Sequence, residues 1–461
     1  MSTALEIENA SRPQQYAQHV NREWVRFLDL LQMNVRYQRC LGAELFTDDG
    51  RRIVDFLSGY CVHNVGHNHP AVVRALQEEL ERRGPAMIQT HVSDLAGELA
   101  EKLCSRAGGR VRKAFFSSSG SEGVEAAIKF ARAHTRRSGI LCAEHAFHGL
   151  TCGALSLMSD EFWREGFGPL LPDTMAVAFG DLAVLERHLK TQRFAAFIVE
   201  PIQSEAGVVI PAPDYLRSAE SLCRRYGTLF VLDEVQTGMY RTGDFLAAHH
   251  FGVEPDMVIL AKAMSGGLVP CGAVLMSDAI CNSVYSSLPR AFVHTSTFSE
   301  NSLAMRAALA TLEVLEYEKL NVRCKEAGQY LLTALNHALS GYEMVKEVRG
   351  LGLLMGIEFQ PPRQLRLRIP YEAFGAVHPG MFGQIIVMRL FRDCGFLTQV
   401  CGNNFMVLKV APPLVVSDHQ MDAFVAAVRK VVELANSPGG FWSEALGLAK
   451  RTFQSSKRVA V

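Results

Sequence analysis

A single lysine follows a fully apolar run in the middle of the chain. Residues 257–260 read MVIL, and Lys262 comes two positions later. An apolar run without alternation predicts a strand covered on both faces, so Lys262 falls at the carboxyl edge of a parallel sheet. Ligands bind at that edge in open α/β sheets, and a desolvated lysine there has a lowered pKa and can act as an amine nucleophile. On this stretch alone, a lysine that simply extends to solvent is the better explanation, so other residues have to decide.

A serine- and glycine-rich turn joins a second apolar run to a predicted helix. The stretch FFSSSGSEGVEAA places Gly120 and Ser121 where that helix begins. Backbone N–H groups at a helix N-terminus bind phosphate, and Gly120 allows a phosphate to approach closely. Ser119 and Glu122 also have the spacing of a capping box, which in isolation is the stronger explanation of the turn.

Two further strand ends carry residues that suit a flat, cationic ligand. Asp233 ends an apolar run, where a desolvated carboxylate needs a cationic partner. Phe147 follows the run GILCAE and offers an aromatic face, although a phenylalanine there is more often part of the core. The adjacent His148 fits a structural role equally well. A lysine, an acid, an aromatic face and a phosphate-binding turn at one sheet edge are together what pyridoxal phosphate chemistry requires.

These strand ends belong to a regular alternation of apolar runs and helical patterns from about residue 85 to 315. The alternation predicts an α/β fold, with a mostly parallel sheet and helices on both faces. Shorter strand pieces beside helices at the two ends of the chain predict a second, small α+β domain. The residues 361–380 lack clear periodicity and are predicted to form a loop. We therefore divide the chain into four parts. Residues 1–75 are the N-terminal part of the small domain, and residues 76–315 are the large cofactor domain. Residues 316–437 are the C-terminal part of the small domain, and residues 438–461 are a tail.

The composition is that of an ordinary globular protein without an extreme charge. Of the 461 residues, 48% are hydrophobic, and 47 basic residues balance 47 acidic ones. This balance argues against nucleic acid or an anionic membrane as the partner. No apolar run reaches the roughly 18 residues of a membrane span, and the polar N-terminal segment has no signal-peptide core, so we expect a cytoplasmic location. The eleven cysteines lack CxxC spacing, and no ligand set beyond Glu234 surrounds Asp233, so we expect reduced thiols and no metal site.

The order and spacing of the site residues resemble the class III (subgroup II) pyridoxal-phosphate aminotransferases of fold type I, and among them the ornithine aminotransferases. The resemblance extends from about Gly42 to about Leu434. Each matching stretch is weak alone, but eight occur in order: DFLSGYCVHNVGHNHP, SSGSEGVEAA, GFGPLLP, EPIQSEAGVVIPAPDYL, LDEVQTGMYRTG, AKAMSGGLVP, HTSTFSENSLA and VRGLGLLMG.

This resemblance implies a reaction as well as a fold. An amino group would move between a primary amine or omega-amino acid and an oxo acid or aldehyde by a ping-pong Schiff-base mechanism. The same scaffold also supports decarboxylases, racemases, mutases and carbon–carbon bond-forming enzymes, so a non-transaminating relative is the alternative. The resemblance further implies a homodimer with a shared active site.

The resemblance also assigns roles to individual residues. Lys262 resembles the lysine that forms the Schiff base with the cofactor, and Asp233 resembles the partner of the ring nitrogen. The other cofactor positions are matched by Val235 under the ring opposite Phe147, Gln236 beside the phenolic oxygen, Gly120 and Ser121 at the phosphate, and Thr297 at the phosphate of the other subunit. Ser121 replaces the family's usual threonine and keeps its hydroxyl.

The substrate side departs from the ornithine aminotransferases. Leu150 and Lys409 stand where those enzymes have arginines, and a lysine loses the bidentate fork that grips a carboxylate. Glu205 matches the glutamate that pairs with the second arginine, so an ion pair with Lys409 would leave the pocket effectively neutral. Tyr60 matches an aromatic residue that lines the ornithine pocket. We therefore expect a primary amine or aldehyde with a neutral or apolar body and poor use of ornithine, the alternative being that Lys409 binds a carboxylate adequately.

The tail after about residue 437 is a further departure from the family. We expect its last ten residues to be loose, and the chain after about residue 440 to be dispensable.

Overall fold

The computed structural model describes residues 13–88, 90–375, 380–437 and 439–444 of the chain. Within these ranges the strands are β1 Tyr37–Leu41, β2 Glu44–Thr47, β3 Arg52–Asp55, β4 Lys113–Ser117, β5 Gly139–Ala143, β6 Thr174–Val177, β7 Phe194–Val199, β8 Leu229–Asp233, β9 Met257–Leu260, β10 Gly272–Met276, β11 Val345–Leu351, β12 Leu354–Phe359, β13 Phe396–Leu397, β14 Gln399–Cys401 and β15 Asn404–Val410.

The helices lie between these strands and after the last one. Short 3₁₀ turns occupy Lys262–Ser265 and Leu288–Arg290, and a kinked turn occupies Ser58–Cys61. The α-helices are α1 Arg22–Leu30, α2 Pro70–Arg82, α3 Asp94–Ala107, α4 Gly120–Thr135, α5 Cys152–Leu155, α6 Glu161–Arg164, α7 Leu182–Leu189, α8 Tyr215–Tyr226, α9 Ala248–Phe251, α10 Asp278–Val284, α11 Ser302–Tyr317, α12 Leu320–Leu339, α13 Leu365–Gly375, α14 Met381–Cys394 and α15 Asp418–Ala435.

The large sheet has seven strands in the order β4-β10-β9-β8-β7-β5-β6. Strands β5 to β9 run parallel to one another, whereas β10 is antiparallel to both β4 and β9. The prediction of a mostly parallel α/β sheet is therefore confirmed. The apolar runs did not predict the edge strand β6, because three of its four residues remain partly or fully exposed.

The central strands are apolar throughout because both of their faces are buried. Every residue of β7, β8 and β9 is buried. Successive side chains point to opposite faces of a strand, so Val231 and Ile259 join one core cluster while Leu232 and Val258 join the other. Each of these strands therefore ends where the buried apolar run ends. The residues that follow the strand ends form the site described below.

Two smaller sheets contain the remaining strands. One has the order β11-β12-β15-β14 with antiparallel pairing, and the other has the order β1-β2-β3-β13. In the second sheet β13 pairs in parallel with β3, with Phe396 opposite Val54, so both ends of the chain contribute to it. This pairing agrees with a small domain built from both termini, while the boundaries at residues 75, 315 and 437 stay a prediction.

The prediction of a loop at 361–380 is wrong for most of its length. Helix α13 occupies Leu365–Gly375, with Leu367 fully buried and the ring of Tyr371 centred 5.6 Å from that of Phe382. An internal proline, Pro370, and exposed apolar and basic side chains hide the helical period in the sequence. Residues 376–379 lie outside the described ranges.

The start of the tail is packed against the rest of the chain. Phe441 and Trp442 are buried, and Glu444 forms ion pairs with Arg389 and Arg392. These contacts contradict the expectation that the chain after about residue 440 is dispensable, and residues 445–461 lie outside the described ranges. Among the described residues no helix combines the length and apolar character needed to cross a membrane.

Candidate active site

Lys262 lies at the carboxyl edge of the large sheet, directly after β9. Its backbone is in the left-handed region, with φ +46°, and it begins the turn Lys262–Ser265. A non-glycine residue there is strained, and such strain is concentrated at functional sites. Burial of the ammonium group lowers the pKa of Lys262, and the charge of Glu205 only partly opposes this. Burial thus makes the ammonium group of Lys262 easier to deprotonate than that of an exposed lysine.

Asp233 ends the neighbouring strand β8, where it is paired with Ile259 of β9. One carboxylate oxygen accepts the backbone N–H of Val235 at 3.1 Å, and the other lies 2.8 Å from Nδ1 of His148. Burial opposes a charge on His148, but the hydrogen bond and the charge of Asp233 outweigh it and raise the pKa of His148. The pair therefore places a hydrogen-bonded carboxylate at the sheet edge.

Sequence reasoning did not identify His148 as part of the site. Its side chain is buried, and Nε2 has no hydrogen-bond partner among the described residues. The available signal was its position, because His148 follows β5 at the same sheet edge as Asp233 and Lys262.

Glu200 is a second buried acid that the sequence patterns did not single out. Its carboxylate accepts the backbone N–H of Phe147 at 3.0 Å and that of Ser204 at 3.1 Å. Burial raises the pKa of Glu200 to about 7, against the lowering influence of His148. Glu200 thereby holds the backbone of Phe147 in place at the side of the cavity.

The turn before α4 has room for an anion. Ser119 accepts the N–H of Glu122 at 3.2 Å, but the Glu122 carboxylate takes the N–H of Ser118, so the capping box is only half formed. The first N–H groups of a helix have no acceptor within it, and those of Gly120 and Ser121 belong to this set. A methyl group on Gly120 would lie 2.9 Å from Cγ2 of Val235, which only glycine avoids.

The hydroxyl of Ser121 is ordered by a neighbouring loop. It lies 2.8 Å from the hydroxyl of Thr151 and accepts the backbone N–H of Thr151 at 3.1 Å.

One cavity of about 400 Å³ brings most of the predicted cofactor residues together. It brings together an amine, a paired acid and a helix N-terminus, which fits a small aromatic aldehyde that carries a phosphate. Its lining includes Gly120, Ser121, Phe147, Asp233, Val235, Gln236 and Lys262, together with His148 and Glu200.

The substrate side of the site contains a buried ion pair. Lys409, on β15, is fully buried and donates to Glu205, which is only 6% exposed. Lys409 also donates to Oε1 of Gln236 at 3.1 Å, and the Gln236 amide donates to Glu205 at 3.0 Å. Burial disfavours the charge on Lys409, but the charge of Glu205 outweighs it and raises the lysine's pKa above its ordinary value. Both groups are therefore ionised and satisfied by each other.

The other predicted substrate residues lie at the edge of this region or outside the cavity. Tyr60, with φ +60°, has its ring centre 5.5 Å from Nζ of Lys409. Leu150 is 56% exposed.

Thr297, which was predicted to contact the phosphate of the other subunit, is exposed and lines a separate cavity of about 300 Å³ beside Phe115. Thr297 is thus not brought to the cavity around Lys262 of its own chain.

Comparison with known proteins places the chain in a family. The family described as Aminotransferase class-III matches residues 29–432. Aminotransferase PigE from a Serratia species is 35% identical over 449 residues, which is 91% of this chain and 53% of PigE. The putrescine aminotransferase of Pectobacterium atrosepticum is 36% identical over 401 residues, which is 85% of this chain and 81% of that enzyme. The chain therefore spans about half the length of PigE and most of the length of the second relative.

A solved structure gives the same result. The ornithine aminotransferase of Toxoplasma gondii, with pyridoxal phosphate at partial occupancy in its active site, matches with a TM-score of 0.78 and 30% identity. The match covers 87% of this chain and 90% of that one. The chain belongs to the class-III aminotransferases, which transfer amino groups with pyridoxal phosphate. The predicted family and fold type are confirmed, and no finding supports the non-transaminating alternative.

Proposed function

We propose that this chain binds pyridoxal phosphate in the cavity around Lys262 and moves an amino group from a primary amine with a neutral or apolar body to an oxo acid or aldehyde. When bound, the cofactor supplies an electron sink that stabilises negative charge on the substrate carbon. Lys262 is the residue that anchors it and then moves protons through Nζ. Support comes from the lysine's lowered pKa and from its position on the strand beside Asp233.

Asp233, Gly120 and Ser121 hold the two ends of the cofactor in this proposal. The Asp233 carboxylate, held in place by His148, attracts a proton to a ring nitrogen. The N–H groups at the start of α4 bind the phosphate. Phe147 and Val235 supply apolar surface, and Gln236 bridges the cofactor side to the ion pair of Glu205 and Lys409.

The observation that carries the choice of substrate is the buried pair of Lys409 and Glu205. The ammonium group of Lys409 donates two of its N–H groups to Glu205 and Gln236, and the ring of Tyr60 lies beside it. A substrate carboxylate that drew Lys409 away would leave the buried Glu205 carboxylate with only the neutral N–H groups of Gln236 and Gly402, and the loss of a buried cationic partner costs several kcal/mol. Leu150 offers no charge in compensation. The name of one relative, a putrescine aminotransferase, supports an amine donor without a carboxylate, but it does not support the neutral body, because putrescine has a second amino group.

A panel of amino donors tests the proposal. Each donor is mixed alone with the cofactor-loaded protein, and single-turnover conversion of the cofactor to its amino form is followed by absorbance. We expect straight-chain monoamines to react at least about tenfold faster than ornithine, since a missing charge contact costs more than 1.4 kcal/mol. Efficient turnover of ornithine with 2-oxoglutarate would contradict the proposal.

The active unit in this proposal is a homodimer in the cytoplasm. Thr297 is exposed and does not line the cavity around Lys262 of its own chain, as expected of a residue that reaches the phosphate of the other subunit. Exposed apolar side chains near it, those of Leu288, Phe292 and Phe298, suit burial against a second copy.

A further inference from the structure

Trp163, on the short helix α6, packs against Phe147, which lines the cavity around Lys262. Its indole ring packs edge-to-face against Phe147, with ring centres 5.4 Å apart and an angle of 78°. Its Nε1–H donates to Oδ1 of Asn403 at 2.7 Å. The only polar atom of the indole is therefore satisfied, and the rest of the ring is hydrocarbon surface.

Asn403 fixes the tryptophan to the backbone that carries Phe147. Its side-chain amide donates to the carbonyl oxygens of His145 at 2.7 Å and Ala146 at 3.3 Å. Its backbone N–H donates to the carbonyl oxygen of Glu205 at 2.9 Å. Asn403 thus connects the small-sheet turn between β14 and β15 to both the aromatic ring and the ion pair of the site.

Gly402 shows how close the indole lies to the buried charges. A methyl group on Gly402 would be 3.2 Å from Cζ2 of Trp163 and 3.2 Å from Oε2 of Glu205. The N–H of Gly402 donates to the same Oε2 at 2.8 Å. The indole therefore contacts the ring of Phe147, and Gly402 adjoins both the indole and the Glu205 carboxylate of the ion pair.

The aromatic surface continues outward from the indole. The ring of Phe162 is centred 4.9 Å from that of Trp163 and 6.2 Å from that of Phe405. Phe162 is 67% exposed, although it is part of this aromatic cluster. A ligand that extends from the cavity along Trp163 would cover this surface.

We propose that Trp163, held by Asn403, is a specificity-determining residue that binds the apolar body of the amine substrate and disfavours a charged far end. This inference rests on the proposed function and names its substrate class more narrowly. Burial of hydrocarbon against the indole favours long or aromatic amines. A charged end in the same place would lose water without gaining a partner, because the Glu205 carboxylate beside the indole is already paired with Lys409.

The test compares amines within each variant, so that the fraction of active protein cancels. We measure kcat/KM for hexylamine, propylamine, benzylamine and 1,4-diaminobutane in the cofactor-loaded wild type and in Trp163→Ala, Trp163→Phe, Asn403→Ala and Tyr317→Ala. Tyr317→Ala is the matched control, because Tyr317 is a large exposed aromatic residue on another helix.

We expect wild type to prefer hexylamine over propylamine by at least about 30-fold, since each buried methylene contributes about 0.8 kcal/mol. Trp163→Ala should reduce this ratio by about tenfold or more. Trp163→Phe and Asn403→Ala, which keep apolar bulk at the site, should reduce it by about threefold. The ratio in Tyr317→Ala should equal that of wild type.

Several outcomes would overturn the inference. An unchanged ratio in Trp163→Ala would do so while leaving the proposed function intact. A larger loss with 1,4-diaminobutane than with hexylamine would show that the indole binds a cation instead. If Trp163→Ala does not fold, an unchanged ratio in both Trp163→Phe and Asn403→Ala is equally decisive. A wild type that converts ornithine and none of the amines would overturn the proposed function itself.

Discussion

Nδ1 of His148 lies 2.8 Å from Oδ2 of Asp233, and both side chains are buried at the edge of the large sheet. Burial lowers the pKa of His148, but the hydrogen bond and the charge of Asp233 outweigh it and raise that pKa above its ordinary value. The histidine therefore acts on the site through Asp233, which lines the cavity, and its loss should change the chemistry more than the fold.

His148→Ala should lower the rate of the amine half-reaction by on the order of 10²-fold, as for the loss of one preorganised charge contact. Rapid-mixing absorbance with excess amine gives this rate. His337→Ala, at an exposed position of α12, is the control and should react like wild type. A His148→Ala rate within about twofold of wild type would show that Asp233 needs no charged partner.

Lys262→Ala should abolish turnover while leaving the thermal unfolding midpoint of the protein close to that of wild type. The reason is that Lys262 provides the amine of the cavity and is not part of the apolar core. Borohydride reduction followed by peptide mass analysis should find cofactor-derived mass on the Lys262 peptide of wild type and not of the variant. Lys430→Ala, at an exposed site on α15, should retain both activity and the labelled peptide.

Lys409→Arg should raise kcat/KM for 2-oxoglutarate by at least about tenfold, because the guanidinium group can hold Glu205 and still offer a fork to a carboxylate. Steady-state kinetics with one fixed amine donor measures the change. Lys430→Arg controls for a general effect of arginine. Efficient use of 2-oxoglutarate by wild type, with no gain in Lys409→Arg, would contradict a neutral pocket.

Glu200 should make stability depend on pH between about 4.5 and 7. Burial raises its pKa from 4.5 to about 7, so the folded protein holds a proton that the unfolded chain releases in this range. Protonated Glu200 contributes roughly 3 kcal/mol to the free energy of unfolding; this contribution is complete below pH 4.5 and is lost as the pH rises to about 7. Urea unfolding of wild type and Glu200→Gln across this range measures it, and the difference between the two should change with pH. Parallel pH profiles would refute the assignment.

Trp442→Ala should destabilise the protein by about 3–5 kcal/mol, the usual cost of deleting a buried aromatic side chain. Trp442 is 4% exposed, donates to the carbonyl oxygen of Ala435 at 3.1 Å and stacks on Phe382. Denaturant unfolding gives the value. Trp24→Ala, at an exposed position of α1, is the control and should cost less than about 1 kcal/mol.

The sequence was sufficient to predict the parts of the site that depend on strand ends. Unbroken apolar runs locate β8 and β9, and the residues that follow each run, such as Asp233 and Lys262, then lie at the same edge. A turn between an apolar strand and a helix located Gly120 in the same way. These inferences use only local pattern and the rule that parallel strands share an edge.

The sequence could not predict contacts that depend on how separate elements pack. Trp163 and Asn403 are 240 positions apart and meet only because the turn after β14 lies against α6. His148 was ambiguous because a histidine after a strand has many possible partners. Helix α13 was missed because its helical period is weak and a proline interrupts it.

The antiparallel strand β10 has a consequence for the order in which the chain can fold during synthesis. Strand β4 pairs with β10, which is complete only at Met276, more than 150 residues later in the chain. The ribosome therefore produces β8, β9 and Lys262 before β4, the edge strand that leads to Gly120, can join the sheet. Until then the apolar residues of β4 have no strand to pair with, so the nascent chain has to be protected from misassembly until β10 emerges.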